Sequence, residues 1–92
     1  MAYSRIVNVE YKSERDMELF LSKWKDWMPE NMPVAISRTM VKTGPSSSLL
    51  MALYASTQIA ENAREVVEVF FNENRDHMLD VIAFHGEVIQ FD

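Results

Sequence analysis

The chain has no cysteine, which removes disulfides, thiolate metal sites, iron–sulfur clusters and thiol nucleophiles in one step. A reducing compartment is thereby allowed. Cations are also scarce, with nine Lys and Arg against fourteen Asp and Glu and a formal net charge of -5. Nucleic acid and anionic membrane surfaces need clustered Lys and Arg to displace counterions, so no nucleic-acid or membrane partner is expected. Lys23 and Lys25 do alternate with Trp24 and Trp27, but on a helix the tryptophans fall near one apolar face and the lysines mostly on a solvated one. No apolar run approaches the roughly 20 residues that span a bilayer. The opening Met1-Ala2-Tyr3-Ser4-Arg5 leads directly into strand-like alternation with no signal-peptide core. The expectation is a soluble, cytoplasmic protein with no metal and no cofactor.

What is present is apolar: nearly half of the 92 residues, with a quarter charged, which suits one globular domain over residues 1–92. At this length folding buries only about 60 to 65% of the surface of the unfolded chain, so stability should be modest and oligomerisation would add to it. The most telling stretch is Leu49-Leu50-Met51-Ala52-Leu53-Tyr54-Ala55, apolar on both alternating faces and punctuated by Ser46-Ser47-Ser48 and Ser56-Thr57. Such a strand must be covered twice.

Arg5 to Lys12 alternates Val7, Val9 and Tyr11 against Ile6, Asn8 and Glu10, the pattern of a half-buried strand. Ser13 offers a helix N-cap, with Glu14 and Asp16 in the first turn where the dipole favours them. Met17, Leu21, Trp24 and Met28, flanked by Phe20 and Trp27, then form an amphipathic stripe. Pro29 and Pro33 bracket its exit. Val34 to Thr43 alternates again, and Gly44 to Ser48 predicts a mobile hairpin loop longer than the two-residue type. Thr57 is the expected cap of a second helix bearing Ile59, Ala63, Val66 and Phe70, widened by Ala60, Val67 and Phe71. Val81 to Phe91 closes the chain as a strand, with Gly86 a candidate bulge.

The order is β-α-β-β-α-β, the split βαβ or ferredoxin-like α+β pattern, with two helices on one face of a four-stranded antiparallel sheet. Helices can supply one cover for Leu49 to Ala55. A homodimer through the other sheet face supplies the second, and avoids a sticky patch of two or three side chains, each forgoing about 1.5 to 3 kcal/mol.

This arrangement resembles the dimeric α+β barrel superfamily, in which two ferredoxin-like subunits pack their sheets together with the helices outside. The likeness spans essentially the whole chain. It rests on topology, length, the doubly apolar strand and the closing segment His85-Gly86-Glu87-Val88-Ile89. Membership implies architecture and leaves the activity open, since members include cofactor-independent monooxygenases, haem proteins, isomerases and stress-response proteins. Other ferredoxin-like classes want an anion cradle or paired cysteines where Tyr11-Lys12-Ser13 stands, or stacking aromatics on a basic sheet face.

Candidate chemistry is sparse. His85 and Glu87, two apart on a strand, would form a base and its orienting carboxylate if no bulge intervenes; the plainer account is a half-exposed His near a strand end. Arg38, between Ile36 and Met40 on one face, is suited to clamp a ligand carboxylate or to pair with Glu10. The resemblance to cofactor-independent monooxygenases calls for an Asn, a Trp and a His around an aromatic substrate. Asn8, Trp24 or Trp27, and His85 supply the types, although Tyr54-Ala55-Ser56-Thr57 replaces the Trp often found at the start of the second helix. Haem-binding members use a helical His. His77 follows Phe70 by seven, but Asp76-His77-Met78 reads as the helix exit.

Trp24, Tyr54 and Phe70, with several methionines, are core residues that could instead line a cleft between helices and sheet. Two functions follow: a small dimer that binds an apolar or aromatic molecule or is purely structural, or a monooxygenase or isomerase with His85 as base and Asn8 and Arg38 orienting the substrate. Convergence of His85, Asn8 and Arg38 on one cavity separates them.

Overall fold

The computed structural model describes residues 2–90. Strand β1 (Tyr3–Tyr11) leads to helix α1 (Glu14–Asn31), then to the hairpin of β2 (Ser37–Gly44) and β3 (Ser47–Tyr54). Helix α2 (Thr57–Glu73) and a 3₁₀ turn (Arg75–His77) return the chain to β4 (Met78–Glu87). The strands form one antiparallel sheet in the order β2-β3-β1-β4. The protein therefore has the ferredoxin-like fold expected from the sequence.

The caps explain where the helices start. Ser13 Oγ accepts from the Asp16 N–H at 3.0 Å, and Ser56 Oγ accepts from the Ile59 N–H at 3.2 Å, satisfying donors that the first turn leaves orphaned. Ser56, rather than the expected Thr57, is thus the second cap. Helix α1 runs through Pro29 to Asn31. Pro29 removes one backbone bond close to the end, and Met32 N–H still reaches Met28 O at 3.0 Å, so the helix stops only ahead of Pro33. Helix α2 ends at Glu73, where Asn74 Nδ2 donates to Phe70 O at 2.8 Å.

Other boundaries shift for identifiable reasons. Strand β2 begins at Ser37; Ile36 N–H still donates to Leu53 O at 2.8 Å, but the Val34 and Ile36 side chains are left exposed by 88% and 57%. The expected long loop is a tight Pro45-Ser46 turn. Ser47 and Ser48 join β3 because Tyr11 N–H donates to Ser46 O at 2.8 Å and the buried Ser48 and Tyr11 hydroxyls meet at 2.7 Å. Burial raises the Tyr11 phenol above its usual value, against the lowering effect of Ser48. Gly86 makes no bulge, since the β1–β4 register runs unbroken through Ser4 and Gly86. Strand β4 starts at Met78 and ends at Glu87; Phe91 lies outside the described residues.

Between helices and sheet, Phe20 is fully buried. Its ring centroid lies 5.5 Å from Tyr11, 5.4 Å from Phe70 and 5.5 Å from Phe71, separations at which tilted and edge-on rings attract. A second cluster of Ala52, Tyr54, Ala60 and Ala63 uses small side chains to bring the start of α2 down onto the sheet. On the helix side the rows across β2, β3, β1 and β4 read Arg38-Ala52-Arg5-His85 and Met40-Leu50-Val7-Ala83. On the opposite face they read Thr39-Met51-Ile6-Phe84 and Val41-Leu49-Asn8-Ile82. That face is mostly apolar and, among the described residues, no helix covers it: Phe84 is 62% exposed and Ile82 45%.

Candidate functional site

The most apolar concavity among the described residues lies between α1 and the β2–β3 edge of the sheet. Leu21, Trp24, Lys25 and Met28, spaced at 0, 3, 4 and 7, fall along one edge of α1 and form its roof. The floor is every second residue of β2, Arg38, Met40 and Lys42, with Ser48 and Leu50 from β3. The cleft encloses about 410 Å³, within the roughly 300 to 1,000 Å³ usual for small-molecule sites.

Arg38 is the polar centre of this cleft. Its Nη2 donates to Pro33 O at 3.0 Å and to the Tyr54 hydroxyl at 3.3 Å, and Nη1 lies 3.5 Å from Met28 Sδ. The guanidinium carbon stands 5.6 Å from the centre of the Tyr54 ring, within cation–π range. The buried Nε has no partner among the described residues. The expected ion pair with Glu10 does not form, because Arg38 faces the helices whereas Glu10 is exposed on the open face.

A second, smaller concavity of about 220 Å³ lies under α2, lined by Arg5, Val7, Val67, Glu68, Phe71, Arg75, Val81 and Ala83. Burial pushes the Arg5 guanidinium below its usual value, and Glu68 opposes that shift. Arg64 spans Glu61 at 2.8 Å and Glu68 at 3.0 Å on the same helix. Glu68 thus places one carboxylate in this concavity beside Arg5 and Arg75.

The three residues of the catalytic expectation occupy different places. Arg38 and His85 share a helix-side row but lie on opposite edges, three strand spacings or about 14 Å apart. Asn8 is on the open face between Leu49 and Ile82. One subunit does not bring them together. The orienting partner of His85 is also a different one: Nδ1 meets the Tyr3 hydroxyl at 2.6 Å, with the rings 5.8 Å apart. Glu87 shares its face but stands one pleat repeat, almost 7 Å, further along the strand.

Of the expected ligand residues, Trp24 lines the α1 cleft, Tyr54 reaches it through Arg38, and Phe70 lies beyond it, stacked on Trp27 at 4.5 Å. His77 is in the 3₁₀ turn, with Nδ1 at 2.9 Å from Asp16 Oδ1 and Nε2 at 3.4 Å from Lys23 Nζ. The hydrogen bonds from His77 and then Ser13 hold the Asp16 carboxyl below its usual value. This is a clasp between α1 and the turn. Among the described residues no group of three His, Cys, Asp or Glu could hold a metal ion, and no helix is long and apolar enough to cross a membrane.

Lys25 and Lys42 were not expected at a site. Lys42 continues the Arg38-Met40 alternation and Lys25 follows Leu21 by four, so both could be placed by periodicity. Tyr3 as the partner of His85 needs the β1–β4 register.

No family model matches this chain, and no curated protein does. Solved structures do. A dimeric ferredoxin-like protein from an uncultured marine organism is 13% identical, with a TM-score of 0.80 over 99% of this chain and 90% of that one. A protein of unknown function from Nitrosomonas europaea is 14% identical, with a TM-score of 0.81 over 99% and 92%. SnoaB, a cofactor-independent oxygenase from Streptomyces nogalater, is 7% identical, with a TM-score of 0.73 over 98% and 95%. The chain shares the ferredoxin-like fold of these and other solved structures, several of which are described as dimeric or as monooxygenases. At such identities the likeness extends to the fold alone.

Proposed function

We propose that this protein is a small homodimer, closed over the open sheet face, that binds a small apolar or aromatic molecule in the cleft beneath α1 of each subunit. The observation that carries the binding reading is the cleft itself: about 410 Å³, walled by Leu21, Trp24, Met28, Met40 and Leu50 and with the half-buried Arg38 at its floor. A few convergent polar groups in an apolar concavity are the usual form of a small-molecule site. The dimer is supported by the uncovered rows containing Met51, Ile6, Phe84, Leu49 and Ile82, and by the description of a fold neighbour as dimeric.

Titration with 2-naphthol, followed by NMR, tests the binding reading. Shifts concentrated at Leu21, Trp24, Met40 and Leu50 are expected. No shifts, or shifts confined to the open face, would refute it. The enzymatic alternative, a cofactor-independent monooxygenase or isomerase acting on an aromatic compound, ranks second because His85, Asn8 and Arg38 are apart in the subunit.

A further inference from the structure

Nine Lys and Arg are spread over this chain, and three of them, Lys25, Arg38 and Lys42, line the cleft beneath α1. Among the described residues no carboxylate does. For a protein with a net charge of -5 this is a local reversal of sign, and a low-dielectric wall such as Trp24, Met28 and Leu50 strengthens the field that the cations project.

The two kinds of cation differ. Lys42 has a carboxylate nearby, Glu14 at 3.6 Å, but both side chains are more than half exposed, and water and salt weaken such a pair. Arg38 is half-buried, and its contacts are all neutral: Met28 Sδ, Pro33 O and the Tyr54 hydroxyl, with Nε buried and unpartnered. A guanidinium removed from water with neutral acceptors alone is poorly compensated, and a carboxylate is the group whose geometry and charge best match it.

Arg5 provides the internal contrast. It too has a buried Nε without a partner, but the concavity it lines is about half the volume and already contains Glu68. An anion entering there would meet a carboxylate in the wall itself, whereas beneath α1 the nearby Glu14 carboxylate lies outside the lining, against the exposed Lys42.

We infer that the ligand of the α1 cleft is a small apolar or aromatic carboxylic acid, its carboxylate held by Arg38 with Lys25 and Lys42, its body against Trp24, Met28, Met40 and Leu50. This identification rests on the cleft being the binding site, and adds to it the class of ligand. The lysines draw the anion in from solvent, and Arg38 fixes its orientation by hydrogen bonding.

The test compares 2-naphthoate with 2-naphthamide, which share shape and differ in charge. Calorimetric titration should show the acid binding about tenfold tighter or more, and the Arg38 Nε–H NMR resonance should move with the acid. In Arg38→Gln the preference should fall severalfold, to the part that Lys25 and Lys42 retain. Because Arg38 also contacts Pro33 and Tyr54, Lys25→Gln and Lys42→Gln serve as independent variants at the exposed ends of the cleft. Each should weaken the acid about two- to fivefold, an effect that added salt erases. Equal affinity for acid and amide, with both perturbing Trp24, would overturn the carboxylate assignment and leave the cleft reading standing. Failure of both compounds to perturb the cleft would overturn the two together.

Discussion

Strand β3 presents the same kind of side chain to two surroundings. Leu50, Ala52 and Tyr54 turn toward the helices and are buried. Leu49, Met51 and Leu53 turn the other way and stay partly exposed, Met51 by 40%. Nothing in their hydrophobicity separates the two sets; the difference is what lies above them. On the helix side Phe20, Trp24, Phe70 and Phe71 fill the space, and where α1 stops short of the β2 edge the covering leaves a cleft. On the open side the rows through Met51 and Leu49 form a broad apolar surface with Asn8 as a polar centre. An alternating pattern reports that a face is buried, and tertiary structure decides whether the chain itself or a second copy buries it.

Charge on the open face should break this comparison most sharply. Met51→Asp leaves the helix-side core untouched, and by two-fold symmetry sets two unpaired carboxylates into the apolar interface, a desolvation cost of several kcal/mol against dimerisation. Sedimentation should show the variant as a folded monomer with its circular dichroism retained. On the helix side the corresponding test is Phe20→Ala, with an expected loss of about 3 to 5 kcal/mol in urea unfolding at fixed protein concentration. An equal loss of assembly and stability from both variants would erase the distinction between the faces.

Smaller effects sharpen the helix side. Tyr11→Phe leaves the buried Ser48 hydroxyl without its partner and should cost about 1 to 3 kcal/mol. Least of all, Asp16 is held below its usual pKa by His77 and Ser13. Its contribution to stability is therefore fully present above the unfolded-state value near 4 and is lost as pH falls through the lower folded-state value. Asp16→Asn should flatten that acid limb in a series of unfolding curves between about pH 5 and 2, with little change in the Tyr3–His85 contact at the other end of β4.

Much of the architecture was legible because period-two and helical patterns are local. Val7, Val9 and Tyr11 face the helices as their alternation requires, and Met17, Phe20 and Trp24 are the buried line of α1. Boundaries depended on single interactions that pattern does not encode, such as Tyr11 N–H drawing Ser46 against β1 and shortening the hairpin turn. The candidate site was legible in part. Arg38 and Trp24 could be named from composition and spacing; the helical period sets Lys25 beside Leu21, but only the placement of α1 over the β2 edge makes that edge a cleft. His85, Asn8 and Arg38 are compatible residue types, but strand order, which no local pattern gives, places them on two edges and two faces.

The claim that joins the fold to its assembly is that the open face is closed by a second copy of the chain. Sedimentation velocity of the wild-type protein at micromolar concentration measures this directly. A single species of twice the chain mass, converted to the chain mass by Met51→Asp, is the predicted result; a stable, soluble wild-type monomer over that range would contradict it.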